Sequence, residues 1–318
     1  MKTSPLKKGL LGALLGLTLL SPLSHARYQT GFEVITFKPA IDAGDYFSVY
    51  GSQNLKAWQG NMGFYLDYSN RPLQFVASGL AIGRQSVIDN LFVANLYGAL
   101  GFTDWFEVGV NLPVVLYNQF FTDDAAANED AGGGLGDIQF TMKFRLVDSE
   151  KNKIGLAFAP FFTLPSGDTS RYTGNGSVTG GVLLIADYLI HPRVSLALNA
   201  GVTFRDDVTK HGVRVDDQLN YGLGVNVKFT EDFHGIVEVT GRSTMADMNE
   251  ANSPLEAGAG IRYFIKNTGF SVDLGATAGI LDGVGAPRVR GYAGLRWTSP
   301  TGNKNINEDG LYQFMNTI

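Results

Sequence analysis

Apolar and polar residues alternate along most of this chain. The clearest example is residues 224–241, GVNVKFTEDFHGIVEVTG, where Val225 and Val227 fall on one face and Asn226 and Lys228 fall on the other. After the short TED turn the same alternation resumes. Because successive side chains of a strand point to opposite faces, this stretch predicts an antiparallel hairpin with one apolar face.

The same pattern recurs twelve times between residues 57 and 299, and its connections alternate in length. Short turns such as FTDW, SEKNK, HPR and KNTG occur at every second junction. The longer connections cover residues 70–85, 118–134, 165–176, 206–216 and 245–254. Short turns on one side, long loops on the other and an even strand number are typical of outer-membrane barrels. The predicted fold is all-β: an antiparallel up-and-down transmembrane β-barrel of about twelve strands.

Aromatic residues lie near both ends of the predicted strands. Trp105, Phe144 and Trp297 are close to short turns, whereas Tyr68 and Phe204 are close to long loops. Two aromatic girdles around an aliphatic band are typical of a lipid-facing surface. A soluble sandwich would instead turn its valines toward a protein core. We therefore expect the apolar face to contact lipid and the polar face to line the lumen.

The amino-terminal sequence MKTSPLKKGLLGALLGLTLLSPLSHA has the lysines, the short apolar run and the small residues of a secretory signal peptide. Cleavage after Ala26 removes three lysines and changes the net charge from −5 to −8. This acidic balance argues against a nucleic-acid partner. The chain has no cysteine, which excludes a disulfide framework, a thiolate metal site and a lipoprotein attachment site.

Four segments follow from these patterns. Residues 1–26 are the signal peptide, and residues 27–56 either plug the barrel or extend into the periplasm. Residues 57–299 form the barrel, and residues 300–318 form a periplasmic tail. We expect the protein in the outer membrane of a Gram-negative bacterium, with both termini periplasmic. Membrane lipids are then the partners of its outer face.

The polar face carries nearly equal numbers of acidic and basic residues. They are Asp67, Glu107, Asp137, Asp187, Glu238, Glu256 and Asp273, with Lys143, Arg145, Arg205, Lys228, Arg242, Arg262, Arg290 and Arg296. Such a set either lines a selective pore or forms interlocked pairs that brace and close the barrel. A two-residue register around KNTG places Arg262 opposite Asp273, and Asp67 meets Arg290 where the last strand closes on the first.

The sequence predicts no enzyme. A hydrolase or acyltransferase needs a nucleophile with a base in reach. The four histidines, His25, His191, His211 and His234, have no serine and acid at a recognisable spacing. We therefore expect no catalytic residues, no cofactor and no metal site.

Small residues concentrate on the outward face of the last four predicted strands, near their long-loop ends. They are Gly241, Ala257, Ala259, Ala276, Ala278, Gly291 and Ala293. In a membrane, small residues allow close approach and van der Waals contact between packed surfaces. The alternative is that alanine and glycine are merely tolerated beside lipid. The clustering favours an oligomer or lipid-contact patch, and we expect a cyclic homo-oligomer.

Two stretches carry family resemblances. GGLGDIQFTMKFRL followed by IGLAFAPFFTLPSGD resembles the outer-membrane barrel family associated with the meta-pathway of phenol degradation. FKPAIDAGDYFSVYGSQNL resembles the start of the barrel half of certain long OmpA-like proteins. In those proteins a calcium-binding repeat and a peptidoglycan-binding domain would follow. The final NINEDGLYQF lacks the regular aspartates of calcium sites, so peptidoglycan anchoring is not expected here.

These observations favour a porin-like channel or carrier for small solutes. The alternative is a closed, non-conducting barrel that acts through assembly or lipid contact. Inward glycines such as Gly222 and Gly258 leave room either for a narrow channel or for residues 27–56 as a plug. No motif in the chain names the solute.

Overall fold

The computed structural model describes residues 31–42, 44–76, 84–120, 130–210, 213–246, 248, 252–281 and 283–300. These ranges contain fifteen strands and one single-turn helix, α1 (Ser149–Asn152). The strands are β1 (Gly60–Val76), β2 (Arg84–Thr103), β3 (Phe106–Phe120), β4 (Asp130–Leu135), β5 (Ile138–Val147), β6 (Ile154–Leu164), β7 (Thr179–His191), β8 (Val194–Phe204), β9 (Val208–Lys210), β10 (Val213–Val215), β11 (Gln218–Lys228), β12 (Phe233–Thr244), β13 (Leu255–Phe264), β14 (Phe270–Leu281) and β15 (Val289–Thr298). The predicted signal peptide and residues 301–318 of the predicted tail lie outside the described residues.

Twelve strands close into an antiparallel barrel. Strand β1 pairs with β2 on one side and with β15 on the other, which removes both free edges of the sheet. Strand β4 continues the line of β5, because both pair with β3. Strands β9 and β10 form a separate small hairpin within one long loop. The predicted all-β barrel of about twelve strands is confirmed.

Side-chain exposure shows which face of the barrel is outside. In the β11–β12 hairpin Val225 pairs with Val237, and Lys228 pairs with His234. Val237 is 51% exposed, whereas its neighbour Glu238 is buried. The exposed face is therefore the apolar one, as expected of a barrel surrounded by lipid.

The tight turn between β13 and β14 shows how local sequence fixes the strand register. Asn267 and Gly269 adopt positive φ angles of 61° and 76°, a conformation that glycine and asparagine tolerate best. The turn aligns Arg262 with Asp273 across the two strands, so the predicted register is confirmed. No helix in the described ranges is long and apolar enough to cross a membrane.

The strands reach further at the long-loop end than the sequence predicted. Strand β1 continues to Val76, β2 begins at Arg84 and β3 continues to Phe120, so parts of the predicted loops 70–85 and 118–134 are strand. Leu73, in the extension of β1, is buried and belongs to one apolar cluster with Phe32 and Val34. This burial stabilises strand where the turn-forming residues alone suggested a loop.

Residues 31–42 and 44–56, here called the lumen segment, lie inside the barrel. At the long-loop end the Gly31 amide donates to the Asn175 carbonyl over 2.9 Å. Near the short-turn end the Asn61 side chain donates to the Ile41 carbonyl over 2.7 Å. The first pass of the segment therefore crosses the lumen from the long-loop end toward the short-turn end.

The lumen segment then turns back before it leaves the barrel. The Ala40 amide donates to the Phe47 carbonyl over 2.8 Å and closes the turn. Tyr50 lies beside Asn199 in the middle of β8, and the chain then returns to the short-turn end to enter β1. One full pass and two half-length passes of chain thus lie in the lumen, the latter two in the half near the short turns.

Aromatic packing holds the segment against the barrel wall. Phe37 stacks on Tyr292 with ring centroids 4.7 Å apart, and Phe47 meets the same ring edge-on at 5.2 Å. Burying a large apolar side chain contributes roughly 1.5–3 kcal/mol. The expectation of a mainly charged and small-residue lumen was therefore incomplete, because it overlooked the inward tyrosines Tyr65, Tyr97 and Tyr292.

The two ends of the described chain lie at opposite ends of the barrel. Ser299 is bonded to Gly60 at the short-turn end, which is the side expected for the carboxyl terminus. Gly31, in contrast, lies at the long-loop end. The expectation of two periplasmic termini stays a prediction, because residues 1–30 lie outside the described residues.

Candidate functional site

The site is the lumen itself, where charged side chains of the wall hold the segment. Lys143 of β5 donates to the Asp42 carboxylate over 2.5 Å and lies 3.2 Å from the Glu107 carboxylate. All three side chains are buried, and Lys143 also donates to the Gln53 carbonyl over 2.5 Å. Glu107 in turn accepts from the Leu55 amide over 2.6 Å. One buried cation thus joins two wall strands to the segment.

A second cluster centres on Arg262 of β13. Its guanidinium donates to both Asp273 oxygens, over 2.7 and 2.9 Å, and the Tyr65 hydroxyl donates to the same carboxylate. Its other contacts are the segment carbonyls of Gly44, at 2.7 Å, and Tyr46, at 2.9 Å. The expected Arg262–Asp273 pair therefore also fixes the turn of the segment.

The third cluster lies where the barrel closes. Arg290 of β15 lies 2.6 Å from Asp67 of β1 and 3.1 Å from Glu256 of β13. It also donates to the Thr36 hydroxyl of the segment over 2.6 Å. The expected contact between Asp67 and Arg290 is present, with Glu256 as an additional partner.

Two polar side chains of the wall bind the segment backbone. The Glu238 carboxylate accepts from the amides of Phe47 and Ser48, with a shortest distance of 2.7 Å. The Asn199 amide group both accepts from the Tyr50 amide and donates to the Tyr50 carbonyl, each over 2.8 Å. These bonds satisfy backbone groups of an irregular segment that has no strand partner.

Most other predicted lumen charges also contact the segment. Asp187 accepts from Ser52, Arg145 donates to Gln53, Arg296 donates to Asp42 and Gly44, Arg205 donates to Gly31, and Arg242 donates to Glu33. Asp137 instead accepts from Gly167 and Asn175 of a long loop. Lys228 lies half-buried at the short-turn end of β11. Most of the predicted lumen charges therefore bind the segment, and some also link the strands of the wall.

A cavity of about 260 Å³ remains between the segment and the wall, extending from the middle of the lumen to the long-loop end. Its charged lining includes Arg205, which follows β8, and Arg242 of β12. Its apolar lining includes Phe161 and Leu183. This cavity is called the long-loop cavity below.

Sequence reasoning overlooked the residues that receive the segment. Asn199 and the inward tyrosines carry no charge, so the predicted set of lumen charges does not include them. One signal was available: Tyr65, Tyr97 and Tyr292 occupy the face opposite to the lipid-facing set in their strands. Large inward rings in a barrel of this size predict that something packs against them.

The small-residue patch is partly continuous on the outer face. Ala259 of β13 lies opposite Ala276 of β14, which lies opposite Gly291 of β15, so the three form a row. Gly241 lies beside the Tyr221 ring, which a Cβ atom at this position would meet. The role of the patch in oligomer or lipid contact stays a prediction.

Two of the four histidines, His191 and His234, lie within the described residues. His234 is buried and lies 3.4 Å from the Asn226 amide group, and His191 lies in an exposed turn. His211 lies outside the described residues. Within those residues, no three His, Asp or Glu side chains are grouped to hold a metal ion.

The closed barrel, its lipid-type outer face and its charged lumen define an outer-membrane-type β-barrel. The chain belongs to the family described as putative MetA-pathway of phenol degradation, whose model matches residues 73–295. The sequence resemblance to that family is therefore confirmed. No curated protein matches the chain.

The chain is similar to several solved structures. An outer membrane channel from Pseudomonas putida F1 is 13% identical, with a TM-score of 0.54 and coverage of 82% of this chain and 100% of that chain. The toluene transporter TbuX of Ralstonia pickettii is 9% identical, with a TM-score of 0.42 and coverage of 84% and 98%. The NanC porin is 10% identical, with a TM-score of 0.46 and coverage of 76% and 98%. The first of these supports the barrel fold.

Proposed function

We propose that this protein is a non-enzymatic, porin-like channel for small solutes, closed in this conformation by its own lumen segment. The observation that carries the proposal is that the segment belongs to no strand of the barrel. It continues into the wall only where β1 begins. Because at least one pass of chain fits inside the wall along the whole lumen, withdrawal of the segment leaves a water-filled passage at least one chain wide.

The wall exposed by withdrawal suits hydrated solutes. Lys143, Glu238 and Arg262 point inward from three different strands. Once their segment partners leave, these groups line a polar passage.

The alternative function is a closed barrel that acts through assembly or lipid contact. The fully buried pair of Lys143 and Asp42 favours it, because breaking a buried ion pair costs about 3–5 kcal/mol. A segment held this firmly opens rarely. The two functions therefore differ in whether the segment leaves the lumen at all.

The orientation follows from the loop lengths. We place the protein in the outer membrane of a Gram-negative bacterium, with the short turns and Pro300 on the periplasmic side and lipid around the apolar face. Residues 1–26 then serve as the signal peptide. The carboxyl-terminal tail is periplasmic in this arrangement.

Ion conductance in planar bilayers tests the proposal. The purified full-length mature chain is expected to give discrete current steps, and variants that loosen the segment are expected to give larger or longer ones. Absence of current in the wild-type protein and in every loosened variant would establish the closed alternative. Faster migration of unboiled than boiled protein on a denaturing gel shows in each case that the barrel is folded.

A further inference from the structure

Two arginines in the long-loop cavity lack acidic partners. Lys143, Arg262 and Arg290 each lie within 3.2 Å of a carboxylate. Arg205 and Arg242, in contrast, have no Asp or Glu oxygen within 4.0 Å among the described residues, and they bond to main-chain carbonyls. Carbonyls supply hydrogen-bond acceptors but no compensating negative charge.

Each acidic residue that lines the same cavity already has a salt-bridge or hydrogen-bond partner. Glu33 lies 2.9 Å from Lys38, and Glu256 lies 3.1 Å from Arg290. Glu238 accepts from segment amides. Arg205 and Arg242 are therefore the two cationic side chains of the cavity lining that have no carboxylate within salt-bridge distance among the described residues.

Arg205 and Arg242 line the same cavity. Burial, followed by the charge of Arg242, lowers the pKa of the Arg205 guanidinium. Arg242 also keeps a buried Nε that has no hydrogen-bond partner. Buried donors in folded proteins are normally bonded, so the unpartnered Nε shows that the hydrogen-bonding capacity of this guanidinium is not fully used.

The remaining lining suggests the shape of the occupant. Asn220 and Thr203 bond to each other beside the arginines, and Phe161 and Leu183 supply apolar surface. A guanidinium group recognises a planar carboxylate through two parallel hydrogen bonds. A ligand with one carboxylate and a small apolar body matches both parts of the lining better than a fully hydrated inorganic anion.

We propose that the long-loop cavity is a binding site for small organic carboxylates, with the carboxylate held by Arg205 and Arg242 and the apolar body packed against Phe161 and Leu183. The inference rests on the proposed function, because it makes this cavity the first position that a solute occupies on its way through the channel. It also defines the solute class as anionic.

Binding of benzoate and of its uncharged isostere benzamide, measured by calorimetry with the full-length mature protein in detergent, tests the site. Benzoate is expected to bind, with benzamide about tenfold weaker or more, because charge-assisted hydrogen bonds are the stronger kind. Arg242→Gln and Arg205→Gln are each expected to weaken benzoate binding about tenfold. Arg288→Gln, an exposed arginine at the same end of the barrel, is the matched control and should leave it unchanged.

Equal binding of benzoate and benzamide would overturn the site, as would wild-type benzoate affinity in both glutamine variants. Arg205 lies outside the barrel strands, so its variant keeps the test valid if Arg242→Gln does not fold. Conductance of the same preparations separates this inference from the channel itself. Charge-dependent binding with no current in the wild-type protein or in any loosened variant upholds the site and overturns the channel, whereas current with charge-independent binding does the reverse.

Discussion

Lys143 of the barrel wall and Asp42 of the lumen segment form a 2.5 Å ion pair in which both side chains are buried. Their partner Glu107 lies on a neighbouring strand, so this one lysine compensates two carboxylates. A lipid-facing barrel does not need such a cluster to fold. The position of this cluster, between the wall and the segment, indicates that the wall is adapted to bind the segment.

Replacing Lys143 by Met is expected to release the segment. Two buried carboxylates then lack a cation, and leaving buried charge unpaired costs about 3–5 kcal/mol. We expect larger or more frequent current steps in planar bilayers than for the wild-type protein. Lys151→Met is the control, because Lys151 is 79% exposed in a short turn. Unchanged current in a folded Lys143→Met barrel would contradict this role of the lysine.

The effects of Arg262→Ala and Asp273→Ala on stability should not be additive. Asp273→Ala alone leaves a buried guanidinium without its carboxylate, whereas Arg262→Ala together with Asp273→Ala removes both charges. We expect the double variant to unfold at a higher temperature than Asp273→Ala, as measured by the heat-dependent gel shift. The double variant should also conduct more than the wild type, because the Gly44 and Tyr46 carbonyls lose their donor. Simple addition of the two single effects would argue against coupling.

Replacing either of two adjacent residues of β8 by arginine should affect barrel assembly differently. Leu198 is 53% exposed on the outer face, so Leu198→Arg places a charge in lipid at a cost of about 2–4 kcal/mol near the midplane and should hinder assembly. Asn199→Arg points inward and should allow assembly, but it removes both bonds to Tyr50 and displaces the segment. Yields of heat-modifiable barrel measure the first effect, and conductance measures the second. Equal yields would mean that the two faces are wrongly assigned.

We propose that the row of Ala259, Ala276 and Gly291 packs against another copy of the chain in a cyclic homo-oligomer. Ala259→Trp together with Ala276→Trp is expected to dissociate it without unfolding the barrel, since bulky side chains prevent close approach. Leu198→Trp, on the outward face of β8, serves as the control. Mass measurement in mild detergent reports the oligomeric state. A monomeric wild type would end this proposal.

The barrel could be predicted because its determinants are local. Alternation such as that of Val225 to Lys228 separates the two faces, and short turns fix register, so the opposition of Arg262 and Asp273 follows from counting residues. Which residues face the lumen and which face lipid could be predicted without knowing any contact between residues far apart in the chain. The absence of cysteine and the charge balance likewise come from composition alone.

Occupation of the lumen was decided by tertiary structure. Residues 31–56 have neither strand periodicity nor helical periodicity, so nothing local states whether they fill a barrel or leave it. Their place depends on contacts between residues far apart in the chain, such as Phe47 with Glu238 and Tyr50 with Asn199. The same contacts use up most lumen charges and leave Arg205 and Arg242 without acidic partners among the described residues. Pairing across a closed lumen is set by three-dimensional packing, because the sequence order of the charges does not specify which of them meet.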